Sequence, residues 1–355
     1  MNSFLEILCS LSLQVTLLLL LTGWLARRQS DCRDSERLWV GCHRAILILS
    51  AAGFLLPHPR LIPALLWPSA TMTQAEISHP NDLATGLFLV WVAGAAVQGT
   101  ALVVSFVSIF RVLHAAQPLK NHPAGLVARL HGRDVRVLVT PLATSPCCWQ
   151  LHRPVVILPR FLLDFPNDEL TVIFRHELTH LAECHPLHLF EQRLVEILFW
   201  FHPLIWSASR SAARQREFVS DQLAAADPSE ATALLRGMWR LAETRIRTTP
   251  TLPAGLAFDV RRTELELRVA RLLDRAQTGI RSQPARRSAS ALRVVFAAGL
   301  AALIWVPVHP GASARDLLSP WPAISATALR EFNIVVRDYE IDAHRIRERD
   351  IHVSR

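Results

Sequence analysis

Long apolar stretches are the feature that most constrains how this chain can fold. Residues 4–25 are nearly all apolar and include the unbroken run Leu17–Leu21, and similar stretches cover residues 38–56, 85–109 and 291–308. About 20 apolar residues are needed for a helix to cross the hydrocarbon core of a bilayer. No basic segment precedes the first stretch, as it would in a signal peptide. The sequence is 51% hydrophobic, and it predicts a mainly α membrane protein with about four transmembrane helices.

The basic residues of the flanking loops predict the orientation of these helices. Four arginines follow the first span, only Arg60 lies between the second and third, and five basic residues follow the third. Because basic loops stay on the cytoplasmic side, we expect the N-terminus to lie outside. The prediction for a bacterial-type cytoplasmic (inner) membrane is a membrane region at 1–111, a cytoplasmic domain at 112–278, a linker at 279–290, a fourth span at 291–308 and an external tail at 309–355.

The formal net charge is +8 at pH 7, and such a positive charge is also typical of proteins that bind nucleic acids. The arginines are spread over loops and helices without a recognisable reading motif, so membrane orientation and lipid headgroups explain them better. We expect no direct contact with nucleic acid. The six cysteines show no C-x-x-C spacing, which fits a reduced compartment.

The motif HELTH at residues 176–180 places two imidazoles four residues apart with a carboxylate between them. Pro166 and the polar residues after it predict that this motif lies on a helix. His176 and His180 then share one face of the helix and can reach one metal ion. Zinc held in this way activates a carbonyl, and Glu177 beside it can take the proton of an attacking water. The alternative is a buried structural helix whose histidines bond to their neighbours.

Glu217 and Asp221 are also spaced i and i+4 on a predicted helix. One carboxylate could ligate zinc, while the other orients a ligating histidine through its free ring N–H. Alternatively, both belong to a solvated charged face together with the neighbouring arginines. We favour ligation, because two histidines, one carboxylate and a base complete a known catalytic set.

Two short β-branched runs, Val135–Thr140 and Pro154–Leu158, predict strands between the third span and the motif. A strand beside the zinc helix could hold a peptide in extended form by edge pairing. Residues 187–206 mix charge with an apolar cluster. They predict a helix lying against the membrane, with a buried core helix as the alternative.

Together, these features resemble the membrane metallopeptidases of the antibiotic-sensing BlaR/MecR group, peptidase family M56. The local matches are Ser145-Pro146, residues 153–159, the HELTH motif, residues 200–206 and residues 217–221, and the resemblance covers roughly residues 4–310. It implies a zincin-like α+β domain in which Zn²⁺ is held by His176, His180 and Glu217. Glu177 is then the base, and Asp221 supports a ligand from behind. The sequence departs from the family at Gln150, His185 and Ser220, where a Gly, an acid and a Cys are common.

The resemblance implies a membrane-embedded zinc endopeptidase that cleaves a cytoplasmic repressor, of the winged-helix type, or itself, in response to an external signal. Two alternatives remain: a quality-control protease for membrane proteins, and a non-enzymatic signalling relay. All four catalytic positions are filled, which argues against the relay. His185, His188 and His202 are candidates for stabilising the oxyanion, but a structural role is favoured for each. The sequence does not predict the oligomeric state.

Residues 309–355 contain no lysine. Serines that are acylated by penicillins depend on a lysine in a Ser-x-x-Lys arrangement. This stretch is also too short for a domain of that size, and its alternation from Phe332 to Tyr339 predicts at most one or two strands. We therefore expect no covalent sensing of β-lactams by these residues, and a signal that arrives through a partner or the membrane.

Overall fold

The structure is a computed structural model that describes residues 2–59, 80–119, 129–130, 133–248, 257–278, 290–306 and 318–338. The helices are α1 (Asn2–Arg27), α2 (Cys32–Leu55), α3 (Pro80–Ala115), α4 (Asn167–Ala182), α5 (His185–Leu198), α6 (Pro203–Ala224), α7 (Pro228–Thr248), α8 (Ala257–Thr278), α9 (Ser290–Ala302) and α10 (Ala323–Glu331). The strands are β1 (Gln117–Pro118), β2 (Arg129–Leu130), β3 (Arg133–Asp134), β4 (Arg136–Thr140), β5 (Cys147–Trp149) and β6 (Val155–Pro159). A 3₁₀ helix covers Arg160–Asp164. The linker predicted at 279–290 lies, except for Ser290, outside the described residues.

Three described helices are long and apolar enough to cross a membrane: Glu6–Arg27, Cys32–Leu55 and Thr85–Ala115. They coincide with the first three predicted spans. About half of the most apolar window is buried in α1 and in α2, whereas none of it is buried in α3. An unburied apolar helix of this length suits contact with lipid, because its backbone groups are satisfied within the helix.

Helix α2 begins six residues before the predicted span at 38–56. The side chain of Asp31 accepts a hydrogen bond from the Arg33 backbone N–H at 3.0 Å and so caps the helix. The added turns are polar in sequence, yet Ser35 and Glu36 are buried. Hydropathy alone therefore missed the part of α2 that packs against the rest of the protein.

In the described part of the fourth predicted span, residues 291–306, the helix ends at Ala302. A helix of 13 residues is about 20 Å long, which is too short to cross a hydrocarbon core of about 30 Å by itself. Beyond it, Gln14 of α1 donates to the carbonyl of Ile304 at 2.8 Å, and the backbone N–H of Val306 donates to Ser10 Oγ at 3.0 Å. Side chains of α1 thus replace helical hydrogen bonds here, and the number of spans remains a prediction.

Helices α1, α2 and α9 pack together and share one apolar core with α5 and α6. Its fully buried side chains include Leu38, Ile46 and Ile205. A second core lies between the sheet and the helices α4, α7 and α8, and it includes Leu158, Leu170 and Leu234. The helices that carry the predicted metal ligands, α4 and α6, therefore lie between a membrane bundle and a mixed α and β layer.

The main sheet has the strand order β1-β4-β6-β5. Strands β4 and β6 confirm the two strands predicted from sequence; they pair in parallel, with Leu138 opposite Ile157. The outer strand β5 pairs antiparallel with β6. All five residues of β6 are buried, as expected for a central strand covered on both faces. Strand β5 lies at the edge of this sheet and contacts α4.

The helix predicted at 187–206 is present as α5, but it ends before residue 206, and a second helix begins within this range. Helix α5 ends at Leu198, and α6 begins at Pro203, whose fixed φ and missing N–H suit the first turn of a helix. In the described part of the tail, residues 318–338, the predicted alternation forms no strand. Residues 323–331 form α10, and pairing is limited to isolated bridges at Leu318 and between Trp321 and Asp338.

Helix α3 packs against the rest of the protein at Gly94, where the indole of Trp200 covers the backbone. A Cβ at this position would lie 2.0 Å from Trp200 Cε2. The indole of Trp91 donates to the Leu198 carbonyl at 2.9 Å, and that of Trp200 donates to the Trp91 carbonyl at 3.2 Å. The close contact therefore depends on the missing side chain.

We expect Gly94→Ala to destabilise the folded protein by about 1–3 kcal/mol, the usual cost of forcing extra atoms into a packed contact. The measurement is the thermal unfolding midpoint in detergent. Gly99→Ala, on the same helix with no atom within 4 Å of its added methyl group, is the matched control. Equal midpoints for the two variants would show that α3 does not pack against Trp200.

Candidate metal centre

Helices α4 and α6 bring the predicted residues together from two separate parts of the chain. Helix α4 carries His176, Glu177 and His180, and α6 carries Glu217 and Asp221. The first turn of α4 contains two acids, which stabilise the positive end of its dipole. The two helices pack against each other, so the i and i+4 pair on each helix faces the pair on the other.

The ligand atoms of His176, His180 and Glu217 lie within 4.8 Å of one another. The two Nε2 atoms are 3.1 Å apart, and they lie 3.6 and 3.7 Å from the Glu217 carboxylate oxygens. Tetrahedral zinc with bonds of 2.0–2.1 Å places neighbouring ligand atoms about 3.3 Å apart. The triangle of donor atoms therefore has the size that a zinc ion needs, and no other group of this kind occurs among the described residues.

The far side of each imidazole faces a polar group, although the His176 N–H does not point straight at its neighbour, and Nε2 of each ring is directed at the donor triangle. Asp221 Oδ1 lies 3.0 Å from His176 Nδ1, and His185 Nδ1 lies 2.7 Å from His180 Nδ1. A histidine that ligates a metal usually donates its other ring N–H to such a group, which fixes its tautomer. Asp221 lies next to His176 Nδ1 and is not part of the donor triangle.

Arg268 of α8 is part of the site, although nothing in the sequence pointed to it. Its guanidinium binds both Asp221 oxygens, at 2.7 and 2.8 Å, and its Nη1 lies 2.8 Å from Glu217 Oε2. This fork of donors holds the two acids of α6 at a fixed distance. The spacing of Arg268 from Glu217 along the chain carries no periodic signal, so only the packing of α8 against α6 reveals the contact.

Charge and burial distinguish the roles of the titratable groups. Burial raises the pKa of Glu177 to about 7, despite the opposing field of His176. Burial and the neighbouring His176 lower the pKa of His180 to about 3, so this imidazole is neutral and available as a ligand. Burial also opposes charge on His176, but Asp221 and Glu217 outweigh it and raise the pKa of His176 to about 10. A metal ion would have to displace that proton.

The three histidines considered as oxyanion partners have other contacts. His185 lies behind His180, and His188 Nδ1 is 3.8 Å from Glu36. His202 Nε2 is 2.9 Å from Thr16 Oγ1 of α1. These contacts fit the structural role favoured from the sequence for the three histidines, and they assign none of them to the oxyanion.

No cysteine belongs to the donor triangle. None of the six cysteines forms a disulfide bond. Burial and the charge of Glu177 raise the pKa of Cys147 to about 12, and burial raises that of Cys148 well above its usual value. Thiols that stay protonated are poor metal ligands and poor nucleophiles.

The positions at which the sequence departs from the resembled pattern lie together behind His180. Ser220 Oγ is 3.4 Å from His185 Nδ1. Gln150 donates to the Leu181 carbonyl at 3.1 Å and reaches Cys184 Sγ at 3.7 Å. Cys184 has a φ of 58° in the tight turn between α4 and α5, which brings His185 next to His180. The residues that differ from the family pattern therefore change the contacts behind His180, and none of them belongs to the donor triangle.

The part of the chain that contains α4 and α6 is similar to a known family. Residues 62–232, which include both α4 and α6, match the family model described as BlaR1 peptidase M56. A stretch of 162 residues is 28% identical to the regulatory protein BlaR1 of Bacillus licheniformis. This match covers 44% of the chain and 27% of that protein, so the chain spans about a quarter of its relative's length.

The family match and the apolar helices support a membrane-associated metallopeptidase. The resemblance to the BlaR/MecR-type M56 peptidases, predicted from the motifs, is confirmed by both comparisons. Signal transduction is the biological context that the similarity to a regulatory protein supports.

Proposed function

We propose that this protein is a zinc-dependent endopeptidase in which His176, His180 and Glu217 hold the metal and Glu177 is the catalytic base. The donor triangle, of zinc-compatible size and with a buried carboxylate on the same helix, is the observation that carries the proposal. Zinc in such a site supplies a Lewis acid that polarises the peptide carbonyl.

The residues of the chain perform the proton transfers. Glu177 takes a proton from the attacking water and returns it to the leaving amine. Burial raises the pKa of Glu177, and a base whose pKa lies closer to neutral pH is better suited to both steps. Asp221 and Arg268 keep His176 and Glu217 in position, so that little reorganisation is needed when the substrate binds.

The substrate is proposed to bind as an extended strand along β5. This strand is at the edge of the main sheet and next to α4, and edge strands bind peptides through main-chain hydrogen bonds. A cytoplasmic repressor of the winged-helix type, or a segment of this protein itself, is the proposed substrate. Cleavage would respond to a signal from the external side.

The proposed orientation has the N-terminus outside and the metal centre in the cytoplasm, and it can be tested with reporter fusions. A reporter fused near Pro123 or Gln277 should be active in the cytoplasm, and one near Ser78 or after Tyr339 should be active outside, because the arginine-rich loops stay inside. An external signal at Gln277 would invert the topology and place the metal centre outside.

The substrate itself can be found by comparing the proteomes of cells that express the wild type or Glu177→Gln. Signal-responsive regulation is supported if one protein is cleaved only in cells that express the wild type. That protein should be a winged-helix repressor or be encoded beside the gene of one. Accumulation of many damaged membrane proteins in the variant would favour quality control instead. Identical proteomes would contradict the proposed endopeptidase activity.

A further inference from the structure

A buried acid of α2, Glu36, lies close to His185, the residue that contacts the predicted ligand His180 from the side away from the metal centre. Glu36 lies in the second turn of α2, a candidate membrane-spanning helix, and its side chain is 7% exposed. Its Oε1 lies 2.7 Å from His185 Nε2, although the N–H does not point straight at the oxygen. His185 is itself buried, and its other ring nitrogen is 2.7 Å from His180 Nδ1.

The chemistry of the two imidazoles allows only one arrangement of protons when His180 ligates a metal through Nε2. Its Nδ1 must then carry the proton and donate it to His185 Nδ1, which accepts. The proton of neutral His185 is consequently on Nε2, which faces Glu36. A carboxylate at this end fixes that tautomer and makes His180 a stronger ligand.

Helix α2 is also held to the catalytic helices on both sides of this contact. Arg33 pairs with Glu183 just after α4 at 2.8 Å, and Arg44 pairs with Glu191 of α5 at 3.0 Å. Both pairs are partly exposed and contribute little energy on their own. Of these contacts, only the buried one of Glu36 connects α2 with a predicted metal ligand. A displacement of α2 would therefore change the position of His185 and, through it, of His180.

We propose that Glu36 is a positioning residue through which the membrane helix α2 sets the zinc affinity of the site. It acts on His180 through His185, and the signal proposed to arrive from the membrane would pass along this route. This inference rests on the proposed zinc site. The signal need not move the catalytic domain as a whole, because a displacement of α2 changes how one ligand is held.

The test measures zinc affinity of the full-length protein, purified in detergent, by competition with a chromophoric chelator. Glu36→Leu keeps the size and helix propensity of the side chain but removes the acceptor. We expect its zinc affinity to fall by about 10 to 100-fold, the usual effect of losing such a partner. The visible spectrum of the cobalt-substituted protein should shift, while the unfolding midpoint of the metal-free protein stays close to that of the wild type.

Two further variants separate orientation of His180 from general packing. Glu191→Leu removes another acid that joins α2 to α5 without a contact to His180, and it should bind zinc like the wild type. His185→Asp places a carboxylate oxygen where Nδ1 now stands, so it should accept directly from His180. In that background, adding Glu36→Leu should change zinc affinity by no more than about twofold, within the error of independent effects.

These measurements distinguish a failure of the proposed zinc site from a failure of the proposed role of Glu36. If the wild type binds no zinc, the proposed function fails, and this inference fails with it. If the wild type binds zinc and Glu36→Leu binds it equally well, the inference is wrong and the proposed function stands. An undiminished loss from Glu36→Leu in the His185→Asp background would show that Glu36 serves packing rather than the orientation of His180.

Discussion

Glu177→Gln should retain zinc and lose peptide cleavage. The amide is nearly isosteric with the carboxylate, so the donor atoms of His176, His180 and Glu217 keep their positions. It cannot take a proton from the attacking water, however, and general base catalysis of this kind contributes about 10²–10⁴-fold to the rate. Because Glu177 is buried and its pKa is raised to about 7, removing its charge costs the folded protein little.

The measurement compares zinc content, by elemental analysis, with cleavage of a peptide library by the same purified sample. Glu169→Gln is a suitable control, since Glu169 is an equally buried acid of α4 that pairs with Arg236 and Arg240, away from the donor triangle. We expect the control to cleave like the wild type. Full activity of Glu177→Gln would remove Glu177 as the base.

Glu217→Ala should lose most of the bound zinc, whereas Asp221→Ala should weaken zinc affinity or activity by about 10 to 100-fold. The difference follows from their positions, because Glu217 supplies a corner of the donor triangle and Asp221 only holds His176. Arg268 remains paired with one acid in either variant. The fold should therefore persist, and the metal affinity should report on the site itself.

Zinc dissociation constants of the two variants test this order of severity. Arg210→Ala, which removes an exposed charge from the same helix, is the control for changes in α6 and should bind zinc like the wild type. If Glu217→Ala bound zinc as tightly as the wild type, another residue would have to be the third ligand. If Asp221→Ala were the more damaging change, the assignments of the two acids would have to be exchanged.

The three long apolar helices were predictable because each depends on a local property, a run of about 20 apolar residues. The start of α2 was not, since Glu36 is polar and its burial depends on His185, far away in the chain. The end of the last apolar helix also depends on tertiary contacts. Ile304 and Val306 are apolar, but their backbone groups bond to side chains of α1, and the helix ends at Ala302.

The donor residues of the candidate site were predictable because helical periodicity brings i and i+4 together on each helix. The partners behind them depend on tertiary packing. Arg268 of α8 and Glu36 of α2 reach the site from opposite directions along the chain, and neither belongs to a periodic pattern with the ligands. The helix of the tail, α10, lies at Ala323–Glu331, before the alternation from Phe332 on which the strand prediction depended.

The most direct test of the zinc site is X-ray absorption spectroscopy at the zinc edge of the purified wild-type protein. The structure predicts one zinc ion per chain, surrounded by nitrogen and oxygen atoms at about 2.0–2.2 Å, with two imidazoles recognisable from their outer-ring scattering. Cys147 and Cys148 should contribute no sulfur. Sulfur scattering at about 2.3 Å, or zinc far below one ion per chain, would contradict a metal centre built from His176, His180 and Glu217.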